Sequence, residues 1–395
     1  MGVGEAFAII IAVISQIQAL NYRCLKQIDQ ALGPFEILVG ANASGKSSFL
    51  DVIAFLGDFV RDGLDKAVEK RTTNFHDLVW GRDGFEFNLA ITAQSPSGSI
   101  TGTVSEEVRY EVSVCLSAEN EELYIRDERL TSVHRNPSVV IDSELIVRND
   151  RHVHFGKGSI QYEQVQHPNY SALNTIPMDA EFPAAVWLRE LLKEGIQTVA
   201  LDARDLAKAS PPGRKESTRI SGTNLARSVL RLKERFPSAF DDWIRHVRTA
   251  LPNIRQVDSI LREDDKHRYV TIEYENGLQV PSWMLSEGTL RLLALTILAY
   301  LPDYRGVYLV EEPENGVHHS ALETIYQSLS SDYEAQVLIA SHSPILLSMA
   351  LPEQLLCFSI ARDGTRITRG SDHPALQDWR GEVSLGTLAA SGILG

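Results

Sequence analysis

Residues 35–56 constrain this chain more than any other stretch. They read Phe-Glu-Ile-Leu-Val, then Gly40-Ala-Asn-Ala-Ser-Gly45-Lys46-Ser47, then Ser-Phe-Leu-Asp-Val-Ile-Ala-Phe-Leu. The middle fits the phosphate-binding pattern G-x-x-x-x-G-K-S. Its flanks have the character such a loop needs. Phe35–Val39 is a short apolar run suited to a buried strand, and apolar Phe49, Ile53, Leu56 and Val60 recur at helical spacing. Between them, glycines let the backbone curl with its amide N–H groups turned inward, and the helix N-terminus adds partial positive charge. Lys46 is expected to reach the β- and γ-phosphates of a nucleoside triphosphate, and the Ser47 hydroxyl to ligate Mg²⁺. Asn42 and Ser48 join Gly40, Gly45, Lys46 and Ser47 as expected nucleotide contacts.

The rest of the chain must supply what such a loop works with. A length of 395 residues allows one large or two ordinary domains, and 44% hydrophobic with 23% charged residues is the balance of a soluble globular protein. The formal net charge of −14 argues against a wholesale nucleic-acid coat and leaves room only for a local basic face. Cys24, Cys115 and Cys357 lie far apart, which implies neither a disulfide framework nor a metal knuckle and fits a reducing cytoplasm. Residues 1–14 include an apolar run, Phe7–Ile14, too short to span a bilayer and preceded by Glu5 rather than by basic residues. They read as a poorly ordered extension, with the domain starting at Ser15 and running to about 370.

Organisation follows from periodicity. Ile17–Leu20 and Phe35–Val39 read as a strand pair feeding the phosphate loop. Over 74–165, segments such as Phe85–Thr92 and Tyr110–Leu116 alternate in hydrophobicity between turn-rich gaps, which predicts an antiparallel β lobe. Residues 182–250 return to helical periodicity, broken at Pro211-Pro212-Gly213. With the apolar helix at 286–301 they form a predicted helical lobe, while 15–60 and 305–365 supply a mixed core sheet. Residues 371–395 form a tail expected to dock on the chain itself. No heptad pattern is sustained, so long coiled-coil arms are excluded.

Three pieces in the second half refine the chemistry. Leu285-Ser286-Glu287-Gly288-Thr289-Leu290-Arg291 stands ahead of the apolar helix, with Ser286 a good N-cap and Gly288 leaving the backbone open to an anion. A plain helix cap would read the same way. Val307–Val310 is a buried strand ending in Glu311-Glu312-Pro313-Glu314, and two carboxylates at a strand end suit a metal ligand and a base that polarises water. Val337–Ala340 is another buried strand, followed by Ser341-His342-Ser343-Pro344, which puts an imidazole where ligands bind in open α/β sheets.

In order, these pieces resemble the ABC-type ATPases. They resemble above all the stand-alone, non-transporter members related to RecF, to structural-maintenance-of-chromosomes (SMC) heads and to the OLD-family ATPase domain, and within these the bacterial AAA-family ATPases that carry Glu-Glu-Pro-Glu-Asn-Gly. The resemblance covers about 15–365. It implies an α/β P-loop NTPase head that hydrolyses ATP with Mg²⁺ and dimerises around two ATPs. It makes Ser286 and Gly288 the signature that completes a partner's site, Glu311 the metal-side acid, Glu312 the catalytic base and His342 the switch histidine. It places Glu314 to His318 at the dimer seam. It also implies work on a partner, nuclease-like in many relatives, in DNA processing or anti-phage defence. A nucleotide-gated scaffold with slow turnover is the alternative, and no membrane role is expected.

Most relatives carry Asp where Glu311 stands. The glutamine loop of the family has several candidates here, Gln94 among them. Tyr22-Arg23 resembles the place where relatives touch the nucleotide. Residues 204–248 hold eleven Lys or Arg against five Asp or Glu, a candidate DNA face or an ordinary solvated lobe. His152 and His154 read as strand surface rather than as metal ligands.

Overall fold

The computed structural model describes residues 14–95, 106–136, 139–157, 160–165, 167–176, 182–212, 224–302, 304–331, 335–377 and 379–395. Residues 1–13 of the apolar extension and Gly213 of the proline-rich break lie outside them, whereas Ile14, expected to belong to the extension, begins the first strand and is fully buried. The chain opens with β1 (Ile14–Tyr22), β2 (Leu25–Ala31) and β3 (Phe35–Gly40), then α1 (Lys46–Asp62) and α2 (Leu64–Glu69). Next come β4 (Glu86–Ser95), β5 (Glu106–Leu116), β6 (Leu123–Asn136), β7 (Val139–Asn149), β8 (His152–Lys157) and β9 (Ile160–Val165). After α3 (Pro183–Glu194), β10 (Ile196–Val199) and α4 (Ala203–Ala207), the chain forms α5 (Leu225–Arg235) and α6 (Pro237–Ala250). Then follow β11 (Ile254–Leu261), β12 (Arg268–Tyr274), β13 (Gln279–Pro281) and α7 (Glu287–Thr296). The last section holds β14 (Val307–Glu311), α8 (His319–Ser330), β15 (Gln336–Ala340), α9 (Pro344–Met349), β16 (Leu355–Ala361), β17 (Gly364–Arg369) and α10 (Leu385–Ala390).

Two sheets enclose α1. The core sheet has the order β10-β14-β15-β3-β16-β17, parallel except for β17. The second is an eight-stranded antiparallel sheet, β2-β1-β4-β5-β6-β7-β8-β9. Every residue of β3 is buried, as a central parallel strand covered on both faces requires. By contrast β1 alternates: Ile14, Ile17, Ala19 and Tyr22 are buried, while Gln16 and Gln18 face outward and donate to Asp29 of β2. This corrects the expected pairing of Ile17–Leu20 with Phe35–Val39. An alternating strand suits a sheet with one wet face, so β1 pairs with β2 and β4 instead.

Phe49, Ile53, Leu56 and Val60 lie fully buried on α1, packed between the two sheets. A second core, on the other face of the parallel sheet, gathers α5, α6, α7 and α8 around Trp243. The helical lobe also carries a small three-stranded sheet, β11-β12-β13, and α3 packs on α1 rather than with α5 and α6. The tail docks on the chain: Leu385 and Leu394 are buried, and α10 lies against α9. No described helix is long and apolar enough to cross a membrane.

One buried ion pair fastens the antiparallel sheet to α1. Arg148 and Glu128 are both fully buried and 3.4 Å apart. Arg148 donates to the carbonyls of Asp150, Pro168 and Tyr170, while Glu128 accepts from the Ser171 and Tyr110 hydroxyls and the Ala172 amide. The loop so held grips α1 and α2, since Asn174 donates to the Val60 carbonyl and Leu64 to that of Asn169. Arg148→Met leaves Glu128 charged and unmatched, so urea unfolding should show a loss of about 3–5 kcal/mol, with part recovered in Arg148→Met/Glu128→Gln. A loss under about 1 kcal/mol in the single variant contradicts this role.

Candidate functional site

The site is built at the carboxyl ends of β3, β14 and β15, which the parallel register brings level. Leu38 pairs with Ala340, and Ala340 pairs with Glu311. The loop leaving β3 is shaped by two glycines that no other residue replaces easily. Gly40 has φ +154°, and a Cβ there would stand 2.3 Å from the Phe358 carbonyl oxygen. Gly45, the N-cap of α1, has φ +107°, and its Cβ would meet the Thr365 hydroxyl at 2.5 Å. That hydroxyl donates to the Ser44 carbonyl at 2.9 Å, so edge strand β17 braces the loop from outside.

Lys46 is buried and folds back over the loop, donating to the carbonyls of Gly40 at 2.8 Å and Ala41 at 2.9 Å. Burial pushes its pKa down, against the opposing pull of Glu312 and Glu314. A buried ammonium held by carbonyls alone is short of negative charge, which an arriving phosphate supplies. The Ser44 Oγ is fully buried and meets no partner among the described residues. An orphaned hydroxyl and an under-neutralised lysine in one loop fit a polyphosphate.

Ser47 donates from its hydroxyl to Glu311 Oε2 at 2.9 Å, which joins the start of α1 to the end of β14. Glu312, next in line, takes a left-handed backbone with φ +45°, and its amide donates to the Ala340 carbonyl at 2.8 Å. Such a conformation is costly for a residue with a Cβ and turns the Glu312 carboxylate away from the direction of Glu311. Asn315 Nδ2 donates to Glu312 Oε2 at 2.6 Å, and His342 Nε2 lies 3.7 Å from Glu312 Oε1. Gly45, Lys46, Ser47, Glu311, Glu312 and His342 all line one cavity of about 780 Å³, and Asn42 and Ser48 also face it. Among the described residues, no group of three or more His, Cys, Asp or Glu forms a ready metal cage. Ser47 and Glu311 bring a hydroxyl and a carboxylate oxygen, the kind of hard ligands a divalent cation takes, to one point at the rim of the cavity.

Ser286 and Gly288 do not line this cavity. The Ser286 hydroxyl caps α7 by accepting from the Thr289 amide at 3.1 Å. Gly288 is needed for a close approach within the chain, since a Cβ there would lie 2.8 Å from the Gly316 carbonyl oxygen. The same five-residue pattern recurs at Ser384-Leu-Gly-Thr-Leu388, where Ser384 caps α10 at the same 3.1 Å and Gly386 packs on the Pro344 carbonyl. The pattern by itself is thus a helix cap with a close-packed glycine; only its place in the fold can distinguish the copy at 286.

Arg23 lines the cavity and pairs with Asp51 at 3.2 Å, whereas Tyr22 is buried with its hydroxyl on Asp51. Gln94 lies near the Ile14 end of β1, at the opposite end from Arg23, and does not line the cavity. Sequence reasoning missed Thr365, 321 residues from the carbonyl it braces, and Arg71, which lines the cavity and pairs with Asp51 at 2.7 Å. Neither carries a local signal.

Residues 36–348 match the protein-family model described as "AAA domain, putative AbiEii toxin, Type IV TA system". The chain belongs to this family. Among solved structures, the Smc head bound to the C-winged helix domain of ScpA is similar at 13% identity with a TM-score of 0.54, covering 90% of this chain and 97% of that one. Smc heads from Pyrococcus furiosus (12% identity, TM-score 0.47, 90% and 95% covered) and Pyrococcus yayanosii (11%, 0.47, 90% and 96%) align less closely. No curated protein matches. This AbiEii-type AAA domain therefore shares the fold of the Smc head, an α/β architecture with a mixed core sheet and an antiparallel lobe.

Removing the Lys46 ammonium should weaken ATP binding by roughly 10- to 100-fold, the equivalent of charge-assisted hydrogen bonds worth about 1.5–3 kcal/mol. Calorimetry of Lys46→Ala measures this directly. Unchanged affinity in a folded variant refutes the loop as the phosphate site.

Proposed function

We propose that this AbiEii-type AAA domain binds ATP with Mg²⁺ in the Lys46 cavity and hydrolyses it, using a second copy of the chain to complete each site. The observation that carries this reading is the convergence of Ser47, Glu311, Glu312 and His342 on a single cavity floored by the glycine loop. The loop amides and Lys46 bind the phosphates. Mg²⁺, held by Ser47 and Glu311, would neutralise charge on the β- and γ-phosphates.

Glu312 is proposed as the base. Its carboxylate accepts the proton of the attacking water, and His342 stands close enough to hydrogen-bond that water or the γ-phosphate. Glu311 points instead to Ser47, which suits the metal side. The longer Glu side chain, where most relatives carry Asp, still reaches that hydroxyl.

Ser286 and Gly288 start α7 outside the lining of their own chain's cavity, and the amides and dipole of this helix end are proposed to serve a nucleotide held by another copy. We infer a homodimer in which each ATP lies between Lys46 of one chain and Ser286 of its partner. Cleavage lets the pair separate, and the work is conformational, exerted on a protein effector. The family description, a type IV toxin–antitoxin system, favours defence over DNA processing.

A nucleotide-gated scaffold with slow turnover is the second reading. It is favoured by the Asn315 bond that occupies Glu312 Oε2. DNA contact through 204–248 has less support among its described residues; Arg214, Lys215 and Arg219 lie outside them. Arg227 donates to the Pro211 carbonyl, Lys233 pairs with Asp258, Arg245 with Asp242, and Arg248 donates to the Ile254 carbonyl. The three described cysteines are free thiols, consistent with a cytoplasmic setting.

Glu312→Gln keeps size and hydrogen bonding but cannot take up a proton, so turnover should fall roughly 10²–10⁴-fold while ATP still binds. Steady-state phosphate release, set beside Glu311→Gln, tests the roles. Full activity in Glu312→Gln with none in Glu311→Gln would reverse them.

A further inference from the structure

Glu314 does more than follow the acidic strand end. Its side chain turns back into its own chain, toward the loop that carries His342. Oε1 accepts the Ser341 hydroxyl at 2.8 Å and the backbone amide of His342 at 2.7 Å. The partners are 27 and 28 residues away, on the far side of α8. The second oxygen, Oε2, is buried and meets no donor among the described residues. A carboxylate with one oxygen accepting two hydrogen bonds and the other buried and idle is kept in place at a desolvation cost, so its position has a use beyond solubility.

The neighbouring bonds show what that use is. Ser341 Oγ, held by Glu314, in turn accepts the Ser343 amide at 3.0 Å, and Ser343 caps α9 through its hydroxyl on the Leu346 amide. One carboxylate therefore reaches, directly or through Ser341, all of residues 341–343 at the exit of β15, where the Ser341 amide also donates to the Leu38 carbonyl. Glu312 is fixed at the other end of the same short loop by Asn315. The only residue between the two acids is Pro313, whose ring restricts φ and makes the spacing from Glu312 to Glu314 rigid. The 3.7 Å separation of His342 Nε2 and Glu312 Oε1 therefore lies between two anchored ends, and the Glu312 amide, bonded to the Ala340 carbonyl, joins the two segments as well.

We propose that Glu314 is the positioning residue for His342: it clamps the 341–343 backbone so that the imidazole meets the γ-phosphate end of the cavity beside Glu312. The assignment rests on the proposed nucleotide site and adds to it the element that tells a triphosphate from a diphosphate. ADP lacks the group that His342 is aimed at, so loosening the clamp lowers affinity for ATP more than for ADP. Glu314 touches no substrate in this role; it acts through the backbone of another residue.

The test uses the full chain as Glu314→Ala and Glu314→Gln. A glutamine oxygen still accepts from the His342 amide, while alanine leaves it bare. In hydrogen-exchange mass spectrometry, Glu314→Ala should speed exchange about tenfold at 341–343 and leave β3 and β14 unchanged, the loss expected for a charge-assisted bond. The ratio of ATP to ADP affinity should fall by a similar factor, and turnover with it. Glu314→Gln should recover exchange and ratio to within about threefold of wild type, which a role in bulk stability would not produce. Ser341→Ala, which removes one of the two donors, should give an intermediate ratio even if Glu314→Ala does not fold. Unchanged exchange at 341–343, an exchange rise spread over the whole core sheet, or equal loss in Glu314→Gln and Glu314→Ala overturns the proposal. If wild type binds ATP but never turns it over, the hydrolysis reading fails, and the exchange and affinity ratios still decide the role of Glu314.

Discussion

The register of the parallel sheet is the constraint on which the rest of this protein depends. Ser47 and Glu311 are 264 residues apart, yet their side chains bond at 2.9 Å because β14, β15 and β3 end level. A one-residue slip in that pairing would turn the strand-end residues to opposite faces of the sheet. The buried faces prevent a slip: β3, β14 and β15 carry apolar side chains into a core on each side, so no shifted register buries as much. Precise chemistry at the rim is a consequence of ordinary burial below it.

That burial is asymmetric, and the asymmetry gives the head its parts. On one face α1 is clamped between parallel and antiparallel sheets, which fixes the phosphate loop from below. On the other, α7 and α8 pack around Trp243 and carry the Ser286 cap and the loop after Glu312. Gly288 meets the Gly316 carbonyl, so these two rim elements touch each other within one chain. On the proposed reading, a ligand at Ser286 would therefore adjoin the segment that holds Glu312 and Glu314. A partner's nucleotide and the chain's own catalytic groups would then be mechanically linked, which is the arrangement expected of a head that opens and closes.

Local features were legible in the sequence, and contacts at long range were not. The glycine loop, the apolar face of α1, the acidic end of β14 and His342 after β15 all stand in short motifs whose flanks declare their structure. The antiparallel lobe was visible from alternation at Tyr110–Leu116. The misplacement of β1 has a physical source: Ile17–Leu20 holds a single polar residue, Gln18, and only with Gln16 does the alternation that marks a half-exposed strand emerge. Thr365 reaches the Ser44 and Cys24 carbonyls from the far end of the chain, and Arg71 joins Asp51 and Asp58 of α1, which no local pattern encodes. Glu314 was visible as a charge, but its direction depended on the turn at Glu312. The repeat of Ser-x-Gly-Thr-Leu at 384 shows the reverse case, a pattern that is legible and yet does not by itself specify a site.

The central claim is that ATP joins two copies of this chain through Lys46 and Ser286. Sedimentation velocity of Glu312→Gln, with and without MgATP, measures it most directly when compared with the same variant carrying Ser286→Arg. The account predicts that MgATP shifts Glu312→Gln toward a two-chain species. Adding Ser286→Arg should abolish that shift while each chain still binds ATP. A Glu312→Gln protein that stays one chain at saturating MgATP, or a shift that persists in Ser286→Arg, would contradict it.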